Sequence, residues 1–148
     1  MKGTFLHLSR RAVSSWKNSA LSDDEIALAA KILSAGEQEL WLSMQPRDCR
    51  HSLIVLSRFI EFAPSARREE QAAALLHDVG KVDSDLGWCL RIIATIVGPR
   101  GKRFSSYHDH EAIGAQLLTD ISEQRTIDLV AGHVNDEVAK ALQSADDI

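Results

Sequence analysis

Four histidines and a late pair of aspartates are the residues of this chain that could do chemistry together. His51 comes first. The dipeptide His77-Asp78 follows, with Lys81 close behind, then His110 and His133, and Asp146-Asp147 stand further on. Imidazole with carboxylate is a nitrogen and oxygen donor set, suited to iron, manganese, cobalt, nickel or zinc. His77-Asp78 closes the run Glu69-Glu70-Gln71-Ala72-Ala73-Ala74-Leu75-Leu76. Alanine and leucine at this density predict a buried helix. Burying a charged group costs heavily unless it is paired or bound to a metal. Adjacent residues stand about 100° apart around a helix, so His77 and Asp78 can both reach one ion. Lys81, four residues after His77, shares its face. An isolated His-Asp pair is commonly a solvated helix end, and the ordered residues around it argue for a site.

The elements that must carry these residues all read as helical. Ser22-Asp23-Asp24-Glu25 is a capping box, and Ile26, Ala29, Ala30 and Leu33 give the helix behind it one apolar face. Gly36 should break that helix, and a short helix through Leu40, Trp41 and Met44 should stop before Pro46. A long helix is predicted from near Asp48 to Pro64, with His51 in its first turns and Leu53, Leu56, Phe59 and Ile60 at helical spacing. Ser65 is the expected cap of the His77-Asp78 helix. Residues 83–87 read as a turn and 86–97 as a helix. Further helices are predicted at 109–119, 121–133 and 136–147. Residues 1–20 read as a packing arm. No stretch has convincing strand periodicity, so the fold class is all-α.

The order of these residues resembles the HD-domain superfamily of metal-dependent phosphohydrolases. His77-Asp78-Val79-Gly80-Lys81 matches the HD-x-G-K form of the signature. Arg50-His51-Ser52-Leu53 resembles the segment with the first histidine, and His110-Glu111-Ala112-Ile113-Gly114-Ala115 resembles the H-x-x-x-G-A segment of variants with two extra histidines. The resemblance implies a compact helical bundle of about six to eight helices. It places the metal-binding domain at 47–148, with 1–46 as a helical extension packed on it. It implies His51, His77, Asp78 and Asp146 as ligands of one ion, with His110 and His133 for a second that Asp78 would bridge. Asp147 is the alternative to Asp146, and His108 to His110. Asp78 and Lys81 are the expected catalytic residues.

Two reactions and one binding role fit that set. A metal-activated water could hydrolyse a small phosphorylated or nucleotide substrate. The basic, glycine-rich stretch Gly98-Pro99-Arg100-Gly101-Lys102-Arg103 offers Arg100, Lys102 and Arg103 to a phosphate. The alternatives are a catalytically inactive module that binds a nucleotide or protein partner, and a di-iron oxygenase on the same fold. No Gly-Tyr-Pro follows His133, and no Glu-Asp pair follows the signature, so neither feature points to a particular nucleotide.

Composition sets outer bounds. The 148 residues are 45% hydrophobic and 26% charged, with a net charge of −4, which argues against a general nucleic-acid binder. Cys49 and Cys89 are too far apart for a CxxC site and read as reduced, inert thiols. No apolar run reaches the length of a membrane span and no signal-peptide-like segment opens the sequence, so a cytoplasmic protein is expected.

Overall fold

The computed structural model describes residues 19–81 and 109–147, and the side chains of all of these but Lys81, Asp109, His110 and Ala112. The sequence readings of residues 1–18, of a helix at 86–97, and of Cys89, Arg100, Lys102, Arg103 and His108 lie outside the described residues. So do the side chains of Lys81 and His110. The described chain is all-α: seven α-helices and one 3₁₀ turn, with no strand. In order these are α1 (Asp23–Ala30), α2 (Ala35–Leu42), α3 (Pro46–Phe62), α4 (Arg68–Leu76), the 3₁₀ turn Val79–Lys81, α5 (Asp109–Leu118), α6 (Gln124–Val130) and α7 (Glu137–Asp146).

α4 is the centre of the bundle. Ala72, Ala73, Ala74, Leu75 and Leu76 are all fully buried, as a helix that is apolar on every side must be. α3 packs on one flank of α4 and α6 on another, while α5 crosses the 3₁₀ turn and α6. α7 lies against α3, and α1 and α2 also touch it. α3 earns its place by periodicity: Cys49, Ser52, Val55, Leu56 and Phe59 form its buried stripe. Two further contacts tie α3 down. Arg50 is nearly buried and donates to Glu25 of α1 and to the carbonyls of Ser19 and Ala20. The fully buried Trp41 donates its indole N–H to Ser52 Oγ at 2.9 Å, and Ser52 donates onward to the Cys49 carbonyl.

Three boundaries differ from the sequence expectation. Gly36 does not break a helix but sits inside α2. The break is made by Ser34, which caps α2 and forms a second capping box with Glu37. Gly36 instead allows close approach, since a Cβ there would stand 3.2 Å from Ile121 Cγ2. α2 ends at Leu42, before Pro46 as expected, but α3 starts at Pro46 rather than near Asp48, because a proline in the first turn loses no hydrogen bond by its missing N–H. Ser65 does not cap α4: the N-cap is Arg67, whose backbone N–H is held by Glu70 Oε2 at 2.9 Å.

Candidate metal centre

Three separate elements bring the donor atoms together. His51 comes from the second turn of α3. His77 is the residue that closes α4, and Asp78 follows it before the 3₁₀ turn. Asp146 stands at the C-terminal end of α7. Asp146 Oδ1 lies 3.0 Å from His51 Nε2 and 3.1 Å from His77 Nε2. Asp78 Oδ2 lies 3.5 Å from His77 Nε2. Donor atoms of His51, His77 and Asp78 all fall within 4.8 Å of one another. Ligands held about 2.1 Å from one ion lie roughly 3.0 to 3.4 Å apart, so most of these separations are those of a shared coordination sphere.

The orientation of His77 fits the same reading. Its Nδ1 donates to the Ala74 carbonyl at 2.7 Å, which fixes the tautomer and turns Nε2 toward the two carboxylates. Asp78 is nearly buried, and Asp146 and His51 are half-buried. Hydrogen bonding to His77, joined by the His51 contact, overcomes burial and holds the Asp146 carboxyl well below the usual carboxylate range. Burial pushes the His77 imidazole down, but the Asp146 contact, the charge of Asp78 and the Ala74 carbonyl outweigh it and raise the group above its ordinary value. Both shifts favour positive charge at this point, which a cation would also supply. The residues present therefore fit a divalent metal: two imidazoles and two carboxylates, with no cysteine. Cys49 is buried elsewhere, and burial pushes its thiol up to about 12.

Beside the cluster lies a cavity of about 550 Å³ whose lining includes His77, Asp78 and Asp146. Asp147 also lines it, but the two histidines meet Asp146. His133 is not brought to this cavity. α6 ends in a Schellman turn, in which Gly132 N–H bonds the Leu129 carbonyl and His133 N–H bonds the Asp128 carbonyl. Gly132 takes φ 69° there, and the chain leaves His133 exposed while Val134 and Asn135 face the cavity. A larger groove of about 660 Å³, lined by Phe62, Pro64 and Ala141 among others, shares only Lys140 with the cavity and none of the cluster.

Glu111, Asn135, Lys140 and Gln143 line the cavity and were not among the residues singled out from sequence. Glu111 had one readable signal, its place next to His110. Its carboxylate lies against Gly132, where a Cβ would stand 3.0 Å from Oε2. The glycine of the His110-x-x-x-Gly114 spacing also has a physical reason. A Cβ on Gly114 would stand 3.1 Å from Val130 Cγ1 and 3.4 Å from Gly80 N, so the absence of a side chain lets α5 close on the turn after Asp78.

Among the described residues no helix is long and apolar enough to cross a membrane. No curated protein matches the chain, and no solved structure does. The family model of the HD domain matches residues 49–147, which takes in His51, His77-Asp78 and Asp146, and with that span covered the chain belongs to the HD domain family.

Proposed function

We propose that this chain is a metal-dependent phosphohydrolase acting on a small phosphorylated or nucleotide substrate. The family is typically one of metal-dependent phosphohydrolases. The observation that carries the reading is the convergence of His51 Nε2 and His77 Nε2 on one oxygen of Asp146, with Asp78 alongside. His51, His77, Asp78 and Asp146 would hold a divalent ion of iron, manganese, cobalt, nickel or zinc. Such an ion polarises a phosphoryl oxygen and makes a bound water acidic enough to attack near neutral pH.

The chain's own residues supply the rest. The Ala74 carbonyl holds the proton on His77 Nδ1, so Nε2 keeps its lone pair for the centre. Asp78 stays close to His77 and accepts a proton from the attacking water. Lys81 contacts a phosphate oxygen, and Arg100, Lys102 and Arg103 take a further phosphate. His110 contributes to a second ion if one is held.

One observation favours a different reading. His133 is exposed and does not itself line the cavity, which fits a module holding a single ion for stability and binding a nucleotide or partner without turnover. Elemental analysis of the wild type and Asp78→Ala, joined to a phosphoester screen, separates these. Metal lost in the variant together with hydrolysis by the wild type supports the hydrolase. Metal binding with no turnover supports the module, and iron with substrate-dependent oxygen uptake supports the oxygenase. No metal after reconstitution ends the metal-based readings together.

A further inference from the structure

The cavity is strongly biased in charge. Asp78, Glu111, Asp146 and Asp147 all line it, and among the described residues Lys140 is the one lysine or arginine that does. A phosphorylated molecule entering it meets four carboxylates, and among the described residues Lys140 is the one lysine or arginine of the lining to offset that repulsion, together with a cation at the centre. Lys140 stands on α7 six residues before Asp146, about 9 Å along the helix axis. Helical side chains lean toward the N-terminus of their helix. Lys140 does so, and its Nζ meets Glu137 Oε1 at 3.0 Å. That pair is exposed, with 57% and 92% of the two side chains accessible, and exposed pairs hold their partners weakly.

Asn135 and Gln143 line the cavity together with Lys140. Among the described residues neither side-chain amide makes a hydrogen bond. One set of lining residues thus offers the His77 imidazole and carboxylates, and another offers two carboxamides and Lys140, whose ammonium is paired with Glu137 of the larger groove. The apolar Leu129, Val130, Val134, Ala139 and Leu142 complete the lining.

We infer that Lys140 binds a second anionic group of the substrate, displaced about 9 Å along α7 from the group held at Asp146. The substrate class is then a small molecule with two separated anionic groups. The nature of the first group rests on the phosphohydrolase reading, while the role of Lys140 is a matter of binding.

The test is calorimetric titration of the manganese-loaded full chain with adenosine 5′-monophosphate and with adenosine 3′,5′-bisphosphate. The wild type should prefer the bisphosphate by about tenfold, the size expected of one charge-assisted contact. Lys140→Ala should erase the preference while leaving monophosphate affinity and manganese content unchanged, and Lys140→Arg should restore most of it. A preference that survives in Lys140→Ala overturns the assignment, and so does a wild type that shows none. A Lys140-dependent preference in a protein that turns over no compound of the phosphoester screen keeps this inference and removes the hydrolase reading.

Discussion

His51 Nε2 and Asp146 Oδ1 stand 3.0 Å apart although 95 positions separate them in the chain. The contact makes α7 part of the site and singles out the first of two adjacent aspartates. Losing a side chain that merely supports a ligand weakens metal binding ten- to a hundredfold, so Asp146→Ala should cost about a hundredfold or more. Asp147→Ala should leave metal binding near wild type. Competition with a metallochromic chelator measures both, and equal losses in the two variants would rule out the assignment of Asp146.

Gly114 should not tolerate a branched side chain. Its missing Cβ is what lets α5 lie against Val130, Val79 and the backbone of Gly80. Gly114→Val overpacks that contact and should destabilise the fold by about 1 to 3 kcal/mol. Denaturant unfolding measures the loss. Because the strain falls on the turn directly after Asp78, metal affinity should drop as well.

Acid should loosen the bundle through Glu37. This carboxylate is fully buried and accepts from Arg68 Nη1 at 3.0 Å and Ser122 Oγ at 2.8 Å, and from the Ser34 backbone. Burial pushes its pKa up, but these hydrogen bonds outweigh burial and hold it below its ordinary 4.5. A group depressed on folding contributes stability that is fully present above its unfolded value and is lost as pH falls through its folded value. Unfolding free energy should therefore fall as the pH drops below about 4.5. Glu37→Gln should be less stable at neutral pH and should show a shallower acid limb in pH-dependent denaturation.

Ser52 should matter for stability rather than chemistry, although it is the neighbour of His51. Its hydroxyl is the acceptor for the buried Trp41 indole. Ser52→Ala leaves that N–H without its acceptor, at a cost of about 1 to 3 kcal/mol. Thermal unfolding followed by tryptophan fluorescence measures it. Metal content at a temperature where the variant is folded should be unchanged.

Much of this architecture was legible because it rests on local rules. The capping box at Ser22, the buried alanine-leucine run of α4 and the amphipathic stripe of α3 each depend on residues a few positions apart. The second capping box at Ser34 is equally local, whereas the role of Gly36, a close approach to distant Ile121, depends on packing. The site divides in the same way. His77-Asp78 carries a compact motif, whereas the convergence of His51 and Asp146 on it depends on how α3 and α7 pack. Arg50 and Ser52, the polar neighbours of His51, are both buried in contacts to other helices, which local sequence does not reveal. Lys140 carried no local sign, since its place in the cavity lining is set by the packing of α7 alone.

The position of Asp146 also sets an order of events during synthesis. A chain emerging from the ribosome displays His51, His77 and Asp78 well before Asp146 exists. If Asp146 is a ligand, a nascent protein whose α7 has not yet left the ribosome and docked on α3 would offer an ion only a partial grip. Durable capture would then wait for the docking of α7, and a chain stalled or released before α7 is made would leave its ion free to exchange.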